Sequence, residues 1–183
     1  MNYTDLEQLL NSQNAEYEAL KNNIFSNLRV AMPGIVSTFD SENQTATIQP
    51  AIRQKVRGID GNNQFIQLPL LLDVQVILPR CNDFVLTMPL KPGDEGLIIF
   101  LDSCYDLFWS YGGIQNPQEL RKHDLSDAVF IPSIFSNPKN IKNYSDNSTQ
   151  LRNIEGDSYI EFEGSNINIV GNVTLNGHTI KTE

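Results

Sequence analysis

Residues 159–183 carry the pattern that most constrains the fold. From Tyr159 the chain reads YIEFEGSNINIVGNVTLNGHTI, with apolar side chains at alternate positions and glycines between the runs. A repeat of two residues predicts short β-strands that each have one apolar and one polar face. Because a narrow ribbon cannot bury its own apolar face, we expect copies of the chain to wind together as an intertwined β-helix or β-prism. The predicted core of this trimeric stalk is Ile160, Phe162, Ile167, Ile169, Val173 and Leu175.

Charge and composition argue against a nucleic-acid-binding, membrane-spanning or disulfide-rich protein. The formal net charge is -9, from 13 Lys and Arg against 22 Asp and Glu, which disfavours a nucleic-acid partner. The sequence has no apolar run long enough for a membrane helix, and MNYTDLEQLL lacks the apolar region of a signal peptide. We therefore expect synthesis in the cytoplasm without a signal peptide. Cys81 and Cys104 are too few for a disulfide framework and fit no zinc pattern, so no cofactor is expected.

Residues 1–30 predict an N-terminal helix. Thr4-x-x-Glu7 has the form of a capping box at its start. Its apolar positions are spaced three and four residues apart, with one polar member: Tyr3, Leu6, Leu10, Gln13, Tyr17, Leu20 and Ile24. This spacing fits either a short coiled coil or an amphipathic helix that lies on its own domain, and the sequence leaves both interpretations open.

The stretch that follows predicts an all-β domain over residues 31–115. Turn signals separate expected strands at 35–39, 45–52, 70–78 and 96–101, and further strand-like segments lie at 84–88 and 107–111. Five strands at this spacing predict a small closed barrel of the OB type. Residues 116–158 lose periodicity and contain Pro117, Pro132 and Pro138, so we expect a linker or arm there. The C-terminal β-helical spike is then residues 159–183.

Residue types suited to catalysis are present but scattered. Glu161 and Glu163 share one strand face, yet a narrow ribbon offers no cleft in which a paired-carboxylate enzyme distorts a sugar. The chain is therefore predicted not to be an enzyme. His178 is a weak metal candidate, because three copies on a threefold axis could hold iron or zinc. The alternative for His178 is a surface histidine, and no metal is predicted.

The segment RKHDLSDA at 121–128, which runs into VFIP, resembles a signature of the baseplate spike proteins of contractile phage tails. These are the membrane-puncturing, baseplate-assembly-protein-V-like family, whose N-terminal domain is an OB-fold. Upstream segments agree in order: MPGIV at 32–36, QTATIQP at 44–50, KPGDEG at 91–96, and then Trp109. The resemblance covers residues 25–135. The residues that carry the motif are Arg121, His123, Asp124, Ser126 and Asp127.

The resemblance implies a homotrimer that acts as the central hub or spike of a phage or phage-like bacteriocin. Its barrels would attach to the tail tube and contact baseplate proteins, and its stalk would pierce the bacterial envelope on contraction. Such spike tips often carry a His-x-His pair that binds an axial iron, whereas this chain has only His178 there, so the metal is not carried over. The predicted stalk is short, which implies either a hub capped by a separate tip protein or a device for a thin barrier.

Two other functions stay open. The first is an OB-fold module that binds oligosaccharide or single-stranded nucleic acid, although the charge of -9 argues against the nucleic acid. The second is a tail-associated cell-wall hydrolase. That enzyme would need a pocket with paired carboxylates or a metal, and an inserted catalytic domain.

Overall fold

The computed structural model describes residues 3–58 and 61–180, and within the first helix it describes side chains from residue 14 onward. The chain forms two compact units, Met1–Ile134 and Phe135–Glu183. The first unit contains α1 (Tyr3–Asn27), β1 (Ala31–Asp40), β2 (Thr45–Pro50), β3 (Gln54–Arg57), β4 (Asn63–Ile66), β5 (Leu71–Val76), β6 (Arg80–Cys81), β7 (Phe84–Val85), β8 (Glu95–Phe100), α2 (Asp106–Tyr111) and β9 (Ala128–Ile131). The second contains β10 (Thr149–Arg152), β11 (Tyr159–Glu163), β12 (Asn166–Val170), β13 (Thr174–Leu175) and β14 (His178–Thr179). Among the described residues, no helix is long and apolar enough to cross a bilayer.

Five strands of the first unit close into a barrel in the order β1-β2-β5-β9-β8. Every neighbouring pair is antiparallel except β5 and β9, which are parallel. This confirms the predicted five-stranded barrel of OB type. The strand that completes it, β9, lies beyond residue 115, in the segment expected to be a linker. Its sequence AVFI is a continuous apolar run of four residues, and such a run shows no alternation from which a strand can be recognised.

The hydrophobic core fills the interior of the barrel. Gly34 of β1 pairs with Gly96 of β8, and a Cβ atom on Gly96 would overlap the ring of Phe130. The two glycines therefore leave the space that the large side chains of β8 and β9 occupy. The buried core residues are Val36, Ala46, Ile48, Leu71, Val74, Val76, Leu90, Ile98, Phe100, Ala128 and Phe130.

Two of the strand-like segments have other roles. Residues 107–111 belong to helix α2, which carries Asp106 in its first turn and is followed by the C-cap residue Gly112, where φ is 67°. The helix is only six residues long, so its sequence is too short to show a helical period. Within 84–88, only Phe84 and Val85 form a strand, and they pair with β6 in a two-stranded ribbon that is not part of the barrel. Strands β3 and β4 form a second such ribbon.

Helix α1 agrees with the predicted N-terminal helix. All of its described side chains, from Asn14 to Asn27, are exposed. This stretch therefore does not lie on its own domain, which removes one of the two interpretations for residues 14–27. The side chains of the remaining pattern positions, Tyr3, Leu6, Leu10 and Gln13, lie outside those that the structure describes.

The second unit is built from short antiparallel strands. Strands β10, β11 and β12 form a three-stranded sheet in that order, and β13 pairs with β14 as a separate ribbon. Strands β11 and β12 confirm that the alternating segment is β-structure. Strand β10 precedes residue 159, so the sheet begins earlier in the chain than the predicted spike did. Within a single chain this unit is an open sheet and a ribbon.

Candidate functional site: the Arg121 cluster and the apolar face of the C-terminal sheet

Arg121 stands between α2 and β9 and binds three carboxylates. Its Nε donates to Asp127 Oδ2 at 2.7 Å, and its Nη2 donates to Asp127 Oδ1 at 3.0 Å. Nη2 also donates to Asp106 Oδ2 at 2.7 Å, and Nη1 donates to Glu119 Oε2 at 2.8 Å. The contact with Asp127 is bidentate, which is the strongest geometry for an arginine and a carboxylate. Asp127 is 0% exposed, so this pair is an ion pair inside the fold.

The backbone around Asp127 links this ion pair to the barrel. The Tyr105 backbone N–H donates to Asp127 Oδ1, and the Leu101 backbone N–H donates to the carbonyl oxygen of Asp127 at 2.9 Å. The Tyr105 hydroxyl donates to the carbonyl oxygen of Ala128, the first residue of β9. Burial, together with the negative charge of Asp106, raises the pKa of Tyr105 to about 12. The hydrogen bonds that Arg121 donates to Asp127 and then to Asp106 raise the pKa of Arg121 above its ordinary value, so its guanidinium stays charged.

The other motif residues shape the turn that presents Asp127. The Asp124 carboxylate accepts from the Ser126 backbone N–H at 2.9 Å and caps a short 3-10 helix at Leu125–Asp127. This hydrogen bond is the main cause that lowers the pKa of Asp124. His123 has a φ of 49°, and its Nδ1 is buried without a hydrogen-bond partner. The motif therefore turns the chain so that Asp127 points inward, and Arg121 and Asp127 are the two members that it joins through an ion pair.

Cys104, Asp106 and Asp127 lie close enough to suggest a metal site, since one ligand atom from each lies within 4.8 Å of the others. However, the Arg121 guanidinium binds both carboxylates at 2.7 Å, and it supplies the positive charge that a metal would bring. The Cys104 thiol donates to Asp106 Oδ2 at 3.4 Å. The geometry therefore fits an ion-pair cluster. Asp106 could not be recognised as a partner from the sequence, because it lies 15 residues upstream of Arg121.

Four of the six predicted stalk-core residues lie together on one apolar face of the β10–β12 sheet. Ile160 lies opposite Ile169, and Phe162 lies opposite Ile167. Leu151 of β10 lies opposite Ile160 and extends the same face. The prediction missed Leu151 because TQLR is too short for its alternation to be recognised. All five side chains are exposed, so none of the residues that the structure describes covers this face.

The remaining predicted stalk residues lie on the β13–β14 ribbon or beside it. Leu175 pairs with His178, and both are exposed. Val173 precedes β13, and its carbonyl oxygen accepts from the Ile180 backbone N–H at 2.8 Å. The structure of one chain therefore does not bring these residues onto the apolar face of the sheet.

The opposite face of the sheet is polar and centres on Glu161. Its carboxylate accepts from the Ser148 hydroxyl, from Gln150 Nε2 at 2.6 Å and from Asn168 Nδ2 at 3.1 Å. The Ser148 hydrogen bond is the largest of the causes that lower the pKa of Glu161. These contacts tie all three strands together on this face. One face of the sheet is thus internally satisfied, whereas the other is apolar and open.

A groove of about 850 Å³ opens on the first unit, between the β1–β2 turn, the end of β5 and the β6–β7 ribbon. Phe39, Phe84 and Trp109 line it, together with amide side chains such as Gln44 and Asn82. Its volume lies within the range of small-ligand sites.

Comparison with known proteins identifies the first unit. Residues 32–133 match a family model described as the phage protein Gp138 N-terminal domain. The match spans more than half of the 183 residues, and it includes the whole barrel after Ala31 and the Arg121 cluster. No curated protein matches the chain. The family match supports a structural protein of the phage baseplate. The resemblance found in the sequence also implied a baseplate protein. The chain belongs to the family of the phage protein Gp138 N-terminal domain.

Proposed function

We propose that the chain is the central spike or hub of a contractile-tail baseplate and that it acts as a homotrimer. The observation that carries this proposal is the open apolar face of the C-terminal sheet. Membership of a phage baseplate family supplies the setting, and the resemblance to baseplate spike proteins supplies the number of copies.

The open face has a physical need for a partner. Phe162 is 53% exposed and Ile167 is 66% exposed, although a sheet of this kind normally buries one face against another layer. Removing apolar surface from water contributes about 25 cal/mol per Å². A second copy brings the same apolar residues, so three sheets arranged around an axis can cover one another.

The unpaired edges of the sheet also favour association with other copies of the chain. Strands β10 and β12 each pair on one side only, and unpaired edges invite pairing with another chain. Contact between β10 of one copy and β12 of the next is a head-to-tail contact, and such contacts either close into a ring or extend into a fibre. A threefold ring would satisfy both the edges and the apolar faces.

In this proposal the protein does mechanical work and catalyses no reaction. The barrels attach to the tail tube and to baseplate proteins, with or without a separate tip protein on the stalk. The C-terminal strands cross the bacterial envelope transiently when the tail contracts. The protein is made in the host cytoplasm and resides in the virion tail baseplate, with no nucleic-acid partner. The net charge of -9 for the whole chain favours a protein that stays soluble before contraction.

The first experiment is to measure absolute mass by light scattering on a sizing column. We expect a mass of three times 20.6 kDa that persists on dilution. Ile169→Asn places an amide on the apolar face and should shift the mass toward the monomer. Glu163→Gln is the matched control, because Glu163 is exposed on the polar face of the same sheet and should keep the trimer.

Other masses would refute parts of the proposal. A stable dimer would contradict the threefold arrangement, and a monomeric wild-type chain would contradict self-association altogether. The position in the particle can be tested separately by immuno-electron microscopy of tails. Label at the baseplate end supports the proposal, and label only along the tube or at the head contradicts it.

A binding module is the second candidate function, and the aromatic groove on the first unit is the observation that favours it. Phe39, Phe84 and Trp109 provide flat apolar surfaces beside amide groups, a combination that suits an oligosaccharide. Titration with bacterial surface oligosaccharides should then change the fluorescence of Trp109, the only tryptophan in the chain. Binding that Phe84→Ala abolishes would support this function, and no saturable change would exclude it.

A further inference from the structure

We infer that α1 forms a parallel, in-register coiled coil with α1 of the neighbouring copies. This inference rests on the proposed trimer and extends it. The barrels would then be joined through their N-terminal helices as well as through the C-terminal sheets.

The side chains of α1 from Asn14 to Asn27 are exposed, so none of the described residues of the same chain covers them. Tyr17 is 71% exposed, Leu20 is 59% exposed and Ile24 is 54% exposed. A helix in water gains most of its stability from packing its apolar stripe, and isolated helices are marginal even when their residues favour helix. A helix of 25 residues that leaves this stripe in water therefore needs another chain to cover it.

The spacing of the stripe is that of a coiled-coil seam. Tyr17, Leu20 and Ile24 follow one another at intervals of three and four residues, and the sequence continues the same spacing back to Tyr3. These residues occupy the a and d positions of a heptad, with Tyr17 and Ile24 at a and Leu20 at d. Phe25, which is 67% exposed, lies at position b, outside this seam. A seam at a and d is narrow, and it suits a partner helix better than a broad protein surface.

The charges beside the seam favour parallel copies of the same helix. Glu16 occupies position g and Lys21 occupies position e of the next heptad. In a parallel coiled coil, the g residue of one helix faces the following e residue of its neighbour, so Glu16 meets Lys21. In an antiparallel pair Glu16 would face Glu16 and Lys21 would face Lys21. Within its own chain Lys21 also contacts Glu18 at 2.7 Å on the exposed surface.

The connection between α1 and the barrel also favours parallel helices. Only three residues separate Asn27 at the end of α1 from Ala31 at the start of β1. One of them, Val30, accepts a hydrogen bond from the Phe100 backbone N–H at 2.9 Å. The end of the helix is thus fastened to the barrel wall. Copies of a barrel related by rotation about one axis therefore direct their helices the same way along that axis.

Disulfide trapping in the full chain tests this inference. The background variant Cys81→Ser removes the exposed native thiol and leaves Cys104, which is buried. In that background, Tyr17→Cys and Ile24→Cys each place a thiol in the seam at position a, whereas Asn22→Cys places one at position f, away from it. Mild oxidation should convert about two thirds of the chains of each seam variant to covalent dimer, because a threefold assembly leaves one cysteine without a partner. The Asn22→Cys control should stay monomeric on a denaturing gel.

The results separate this inference from the proposed trimer. A trimeric mass by light scattering without cross-linking at either seam position would overturn the coiled coil and leave the trimer intact. A monomeric mass would overturn both. Cross-linking at Ile24 but not at Tyr17 would overturn the in-register arrangement.

A charge exchange tests the direction of the helices. Glu16→Lys alone should lower the yield of cross-linked Ile24→Cys chains, and adding Lys21→Glu should restore it. A double variant that cross-links no better than the single variant would overturn the parallel arrangement.

Discussion

Replacing Arg121 with methionine should destabilise the barrel strongly, because it leaves the Asp127 carboxylate buried without its counter-ion. Asp127 is 0% exposed, and Arg121 supplies two of its hydrogen bonds, through Nε and Nη2. Removing one partner of a buried ion pair costs about 3–5 kcal/mol. The Arg121 side chain is 19% exposed, so water can reach part of the vacated space. We therefore expect the lower end, a loss of about 3 kcal/mol in the free energy of unfolding.

The assay is urea unfolding followed by the fluorescence of Trp109, which lies in the first unit. Protein concentration is held equal across variants, because self-association also contributes to stability. Lys122→Met is the matched control. It removes the adjacent positive charge, but Lys122 and its partner Asp102 are both exposed, and such pairs contribute below about 1 kcal/mol.

The double variant Arg121→Met with Asp127→Leu isolates the pair itself. Replacing both charged groups by apolar ones removes the unpaired buried charge, so the double variant should be more stable than Arg121→Met alone. The reasoning would be refuted if Arg121→Met lost no more stability than Lys122→Met. It would also be refuted if the double variant lost as much stability as Arg121→Met and the single variant Asp127→Leu lose together.

Three further predictions concern the core and pH. Phe130→Ala, at a site 0% exposed, should cost about 3–5 kcal/mol in the same urea assay, whereas Phe84→Ala, at a site 81% exposed, should change stability by less than about 0.5 kcal/mol. The pKa of Tyr105 is raised to about 12, so its contribution to stability is present below pH 10 and is lost as the pH rises from 10 to 12. Tyr105→Phe should therefore lose less stability than wild type between pH 10 and 12. If the free energy of unfolding fell equally with pH in both proteins, the raised pKa of Tyr105 would be contradicted. The pKa of Glu161 is lowered from 4.5, so its contribution is present above pH 4.5 and is lost as the pH falls through the lowered value. As the pH falls below 4.5, the hydrogen exchange of β11 amides, corrected for the intrinsic rate, should accelerate in wild type and change less in Glu161→Gln.

Those parts of the fold whose pattern is local could be predicted from the sequence. Strands β1, β2, β5 and β8 lie between turn signals, and β11 and β12 alternate in hydrophobicity over five residues each. Strand β9 could not be recognised because it is four residues long, apolar throughout and mostly buried. Its place beside both β5 and β8 depends on long-range pairing, which no local window contains.

The candidate sites divide in the same way. The apolar face of the C-terminal sheet was predicted from alternation, apart from Leu151, whose strand is short. The Arg121 cluster was seen only as a motif that resembles a family, and the bond between Arg121 and Asp127 did not follow from their spacing. Asp106 and Tyr105 join the cluster through the tertiary fold, so their part in it required the structure.

The contacts of the Arg121 cluster give this segment a structural role that explains why it can mark a family. Asp127 directly precedes β9, and its carbonyl oxygen is bound by the Leu101 backbone N–H, one residue after β8 ends. The cluster therefore fastens the point at which β9 enters the barrel between β8 and β5. Strand β9 is short. It pairs with β8 over four residue pairs but with β5 over only two, so its own ladder holds it weakly on the β5 side. The buried ion pair compensates by fixing where the strand starts, and Phe130 then reaches the space beside Gly96. A fold that closes its barrel with so short a strand depends on this cluster for closure.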